Sequence, residues 1–273
     1  MNTKLITLST LIVWPLLGGC LGSEQTIYAI CEENPQICSD IQAQGWCKVE
    51  RANVIRQRQK ELTTPNDPNV LYDSLIRWQE FSQCIEIAAN IKRRSIKDRD
   101  AIKETTFLTT LQEIQRIEQA TVNSKLPEFL YYHWAQDGDP SKIEKLVALD
   151  QRSKLNTTRL QLMMAAYYGK ANRERAISSL YKALQFLKAS ELESLDPSVY
   201  ASLATHFYQE KRYKLAFVWT EVATMAGLKT NKNNLIMQNL EAQHADVDKL
   251  EGVASDTYNS IRSLAFEAPN NKI

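Results

Sequence analysis

The chain has 273 residues, 44% of them hydrophobic and 24% charged, with 33 lysines and arginines against 32 aspartates and glutamates. That balance lacks the basic excess that nucleic-acid binding needs, while the apolar share is enough for a sizeable core. Only eight glycines occur, under half the usual share of about 7%, which leaves little material for phosphate-cradling loops.

The chain opens MNTKLITLSTLIVWPLLGGCLG, with Lys4 before a mostly apolar run from Leu5 to Leu17 and then Gly18, Gly19 and Cys20. A charged start, a short apolar stretch and small residues at its end mark a secretory signal. A spanning helix needs about 20 predominantly apolar residues, whereas this run is shorter and is interrupted by Thr7, Ser9, Thr10 and Pro15. Leu17-Gly18-Gly19-Cys20 resembles the bacterial lipobox. The resemblance implies that residues 1–19 are a lipoprotein signal peptide and that Cys20 becomes a diacylated, palmitate-bearing N-terminus. Leu21 stands where lipoproteins held at the inner membrane carry aspartate, so the same resemblance implies the periplasmic face of the outer membrane. Residues 20–30 then serve as anchor and tether, and ten extended residues reach at most ~36 Å. The folded body is expected close to its membrane.

Residues 31–47 read CEENPQICSDIQAQGWC. In an oxidising compartment, Cys31, Cys38, Cys47 and Cys84 form an even set compatible with two bridges. No C-x-x-C occurs, and His133, His206 and His244 lie far away, so neither a metal site nor a thioredoxin-like site is expected. Trp46 to Leu62 reads as a helix and Val70 to Ile91 as another, joined by the breaker cluster Thr63-Thr64-Pro65-Asn66-Asp67-Pro68-Asn69. Two helices joined by a short loop run antiparallel. Cys47 and Cys84 are nearly equidistant from Asn66, which predicts Cys47–Cys84 and leaves Cys31–Cys38. This stapled helical hairpin opens an N-terminal region expected over 31–122.

The basic run Lys92-Arg93-Arg94, with Lys97 and Arg99, reads as the cationic end of a helix. Ile102, Phe107, Leu108, Leu111, Ile114 and Ile117 make an apolar helical face after it. The middle of the chain repeats itself. LQLMMAAYYGKANRERAISSLYKAL, from Leu160, aligns without a gap on YASLATHFYQEKRYKLAFVWTEVAT, from Tyr200. The pairs Met163/Leu203, Tyr167/Phe207, Ala176/Ala216 and Ala183/Ala223 match at an offset of forty residues. Each copy gives an apolar helix, a polar turn and a second helix with alanine at its inner contacts, where two backbones approach closely. A weaker copy precedes them: Leu130, Tyr131 and Trp134, the turn Asp137-Gly138-Asp139-Pro140, then Ile143 and Val147.

This pattern resembles the tetratricopeptide repeat, and Trp219, Ala223 and Gly227 also resemble the related Sel1-like repeat. The expected fold class is therefore all-α, with helical hairpins stacked as a tetratricopeptide-like α-solenoid behind the stapled N-terminal hairpin. The helical-repeat region is expected over 123–267, closed by a capping pair at Leu235 to Leu250 and Thr257 to Phe266, with 268–273 a loose tail. Thr220, Leu228 and Met164 depart from the repeat signature. The tetratricopeptide register implies a concave groove lined by Tyr132, Gln136, Gln161, Tyr168, Thr205, Tyr208 and Gln209. Tyrosines beside amides suit an extended peptide or a sugar. An error of one residue in register would turn some of them into the core.

The block CEENPQIC…GWC with the basic helix after it is similar to a bacterial lipoprotein family, domain of unknown function 2989. No G-x-S-x-G, H-E-x-x-H or P-loop motif occurs. Paired carboxylates such as Glu191/Glu193 and Glu32/Glu33 read as solvated, and His133 and His206 as packed. The expected function is a non-enzymatic, outer-membrane-anchored scaffold that binds an envelope protein or extended peptide, without cofactor or metal beyond the lipid on Cys20. The competing expectation is an enzyme or glycan-binding accessory acting on peptidoglycan, through carboxylates distant in sequence.

Overall fold

The computed structural model of the chain describes residues 25–42, 45–91, 97–229 and 234–268. The signal segment, Cys20, the run Lys92-Arg93-Arg94 and the last five residues lie outside them. Among the described residues there are twelve α-helices and two short 3-10 turns, with no strand. None of these helices is long and apolar enough to cross a membrane. The chain divides into two compact units, before and after the Ile117–Glu118 peptide.

The first unit holds α1 (Ile27–Glu33), α2 (Lys48–Thr63), α3 (Pro68–Asn90) and most of α4 (Lys97–Thr121). Asp67 caps α3 by accepting from the backbone N–H groups of Asn69 and Val70, and Pro68 fills the first helical position, where no donor is missed. The breaker cluster thus acts as both end and start signal, and α2 and α3 pack as the expected hairpin. Cys47 and Cys84 are bonded across it, and Cys31 and Cys38 close the small loop around Pro35. The core centres on Trp78, Phe81, Ile55 and Leu75. Over it lies Arg58, which donates to both carboxylate oxygens of Asp40 at 2.7 and 3.0 Å and to the carbonyl of Ile37 at 2.9 Å. Its guanidinium stands 5.5 Å from the Trp78 ring centre, so one side chain ties the disulfide loop to the hairpin.

The second unit is a series of helical pairs. They are α5 (Pro127–Asp137) with α6 (Pro140–Gln151), α7 (Thr158–Tyr168) with α8 (Arg173–Gln185), and α9 (Ser198–Gln209) with α10 (Tyr213–Met225). Then α11 (Asn234–Ala242) and α12 (Val247–Arg262) pack on α10. α7 and α9 begin at 158 and 198, and α8 and α10 at 173 and 213, so the forty-residue offset holds at both helices. The turns follow from their residues. Gly138 ends α5 with φ 71°, and Asp139 caps α6 by accepting from the Ser141 N–H. Asn172 accepts from the Arg175 N–H to start α8. Ala176, Ala183, Ala216 and Ala223 are all 0% exposed, the small inner contacts over which the helices close. Tyr200 stacks on Trp219 at 6.2 Å within this core.

The last pair differs from the sequence expectation. The break falls at 243–246 rather than between Leu250 and Thr257, and α12 runs from Val247 through Gly252 to Arg262. The local cause is Asp246, whose carboxylate accepts from the Lys249 N–H, together with His244 at φ 49°. An N-cap is a stronger punctuation than an isolated glycine, which costs a helix only about 1 kcal/mol.

Candidate binding surface

α5, α7 and α9 are the first helices of the three pairs, and they carry all seven groove candidates. Two of these turn inward on α7. Gln161 is 1% exposed, and its Nε2 donates to the Leu155 carbonyl at 2.6 Å and to Asp150 Oδ1 at 3.4 Å. Tyr168 is 4% exposed. Its hydroxyl donates to Asp150 Oδ2 at 3.2 Å and accepts from the Arg175 guanidinium at 3.3 Å. Residues seven apart share a helix face, and here both meet the Asp150 carboxylate at the end of α6. Tyr132 is half-buried, with its hydroxyl donating to Glu118 Oε1 at 2.6 Å. The two tyrosine hydroxyls and the Gln161 Nε2 are thus engaged inside the unit, while the buried Gln161 Oε1 has no hydrogen-bond partner among the described residues.

The other four stay at the surface. Gln136, Thr205 and Gln209 are exposed. The Gln209 amide oxygen accepts from Arg173 at 3.1 Å, joining the end of α9 to the start of α8. Tyr208 is half-buried, edge-on to Tyr213 at 5.8 Å. α7 and α9 lie close at their C-terminal ends, since a Cβ at Gly169 would stand 3.8 Å from His206 Cε1.

Three residues outside the candidate set make the more distinctive feature. Tyr131 and Trp134 on α5 lie 5.5 Å apart, and Trp134 meets Tyr167 of α7 edge-to-face at 5.2 Å. All three are partly exposed. They form an aromatic ladder across two first helices, and burial pushes the Tyr131 hydroxyl above its usual pKa. The sequence signal was present, because these positions belong to the repeat signature. That signature assigns them to packing between helices, so their open edges were not legible.

His133 is 4% exposed, with Nε2 3.1 Å from the Thr121 hydroxyl. Burial, aided by the Lys142 charge, holds its imidazole below the usual pKa against Asp137 and Glu118. His206 is held low in the same way, by burial and then Arg173. Glu191 accepts from the Thr158 hydroxyl at 3.2 Å and the Lys188 N–H at 3.1 Å, whereas Glu193 pairs with Arg262 at 2.9 Å. The two carboxylates thus serve different contacts. Cys47, Glu50 and Cys84 lie close enough to suggest metal ligands, but the two sulfurs are consumed in their disulfide.

The sequence model of one protein family, described as a protein of unknown function (DUF2989), matches residues 17–221. That is three-quarters of the chain, and the chain belongs to that family. No curated protein and no solved structure matches it.

Proposed function

For this member of the DUF2989 family we propose a role as a lipid-anchored scaffold of the bacterial envelope. Its helical pairs form a tetratricopeptide-like unit that binds an extended peptide or a segment of an envelope protein. The aromatic ladder Tyr131–Trp134–Tyr167 carries this reading. Partly open rings supply broad amphipathic area at low conformational cost, and the exposed Thr205 and Gln209 on α9 supply hydrogen bonds for a peptide backbone. The lipobox-like Leu17-Gly18-Gly19-Cys20 supports the anchor at the periplasmic face of the outer membrane. Two disulfides fit an oxidising compartment.

The test places a photocrosslinking aromatic residue at Tyr167 and at Thr205 in the intact cell, with exposed Glu174 on α8 as the control. Discrete protein adducts from the first two, absent from the control, are the expected result. Adducts only to glycan fragments would move the peptidoglycan-acting reading to the front, and no adduct at all would overturn the scaffold. For the anchor, labelled palmitate should enter the chain and fail to enter Cys20→Ala.

A further inference from the structure

A cavity of about 420 Å³ opens between the 122–125 loop and α6, within the size range of ligand sites. Four of its lining residues are cations: Lys125, Lys142, Lys145 and Arg152. No carboxylate lines it. The helical spacing explains the arrangement, since positions 142, 145 and 149 fall on one stripe of α6 and Arg152, its C-cap, continues that stripe. That stripe reads lysine, lysine, leucine, arginine. Leu149, Ala148 and the buried Leu130 give the cavity an apolar floor beneath the charges.

The charges are incompletely compensated. The Lys142 ammonium donates to the carbonyl of Val122, which fastens the loop to α6. Asp139, the cap of α6, feels both Lys142 and Lys145. The side chains of Lys125 and Arg152 have no ion pair or hydrogen bond among the described residues, and both are exposed. Four cations around one cavity that no carboxylate lines repel one another, and an anion seated between them removes that repulsion. Inorganic anions gain nothing from an apolar floor. A molecule with a charged head and an apolar body gains from both parts.

We propose that this cavity is a binding site for an anionic amphiphile. Lys125, Lys145 and Arg152 hold its negatively charged headgroup, and its apolar part lies against Leu130 and Leu149. Phosphate is the shared headgroup chemistry of the two sources to be told apart, a phospholipid and the free ion. The site is independent of the aromatic ladder and of the anchor at Cys20.

The experiment is a calorimetric titration of the full chain bearing Cys20→Ser, so that no covalent lipid competes. Three probes are used: dihexanoylphosphatidylglycerol, dihexanoylphosphatidylcholine and inorganic phosphate. The anionic amphiphile should bind more tightly than either of the others. Each cation near an anionic surface contributes about 1 kcal/mol, so Lys145→Gln with Arg152→Gln should weaken it roughly thirty-fold. Both side chains are exposed, and an unchanged thermal melt of the double variant separates lost binding from lost folding. Equal affinity for the two amphiphiles, no binding, or an unchanged affinity in the double variant would overturn the site. Inorganic phosphate binding as tightly as the anionic amphiphile would overturn its amphiphile character.

Discussion

Cys47 and Cys84 lie 37 residues apart in sequence and 5.8 Å apart at their Cα atoms, joined across the α2–α3 hairpin. Cross-linking restricts the unfolded chain more when the closed loop is longer. By loop-closure entropy this bridge contributes about 4 kcal/mol, against about 2 kcal/mol for Cys31–Cys38 with its separation of seven. Urea unfolding of the Cys47→Ser/Cys84→Ser and Cys31→Ser/Cys38→Ser proteins should show that order. Equal losses would remove chain entropy as the explanation.

Ala216 on α10 is 0% exposed, where α9 and α10 close on each other. Ala216→Leu adds methylenes to a filled space and should cost about 1–3 kcal/mol. Ala166, exposed on α7, is the comparison. Ala166→Leu should stay within about 0.5 kcal/mol of the parent in the same denaturation experiment.

Tyr168 and Tyr167 are adjacent and have different surroundings. Tyr168→Phe leaves Asp150 and Arg175 without their shared hydroxyl and should destabilise by about 1–2 kcal/mol. The substitution leaves the aromatic ladder in place, so crosslinking from Tyr167 should persist. Chemical denaturation and the crosslinking yield together check this. A loss of crosslinking without a loss of stability would place Tyr168 in the binding surface.

His133 and His206 are both held below the usual histidine pKa, chiefly by burial. The unfolded chain therefore takes up protons at a higher pH than the folded one. Stability from the neutral rings is complete above about pH 6.5 and falls as the pH drops below it. The urea midpoint should be lower at pH 5.5 than at pH 7.5, and His133→Gln/His206→Gln should narrow the difference. Identical slopes in parent and variant would refute the assignment.

Where local signals were strong, the sequence was sufficient. The cluster Thr63 to Asn69 placed a turn, the turn placed Cys47 level with Cys84, and the bridge followed. The alanines at 176, 183, 216 and 223 gave the repeat offset because close helix contacts tolerate only small side chains. Weaker signals lost to stronger ones nearby. At the C-terminal pair the expected break lay between Leu250 and Thr257, but the cap at Asp246 set it before Val247.

What the sequence determined by itself was helical class, pairing of neighbours and cysteine connectivity, all properties of short-range periodicity and turns. What the tertiary structure decided was which face of each first helix is open. Tyr167 and Tyr168 are chemically alike and one position apart, and no local preference separates them. The choice came from other helices: Asp150 at the end of α6 and Arg175 in α8 offer the Tyr168 hydroxyl partners inside the unit. A buried hydroxyl needs such partners, so Tyr168 turned inward and Tyr167 was left on the ladder with Trp134.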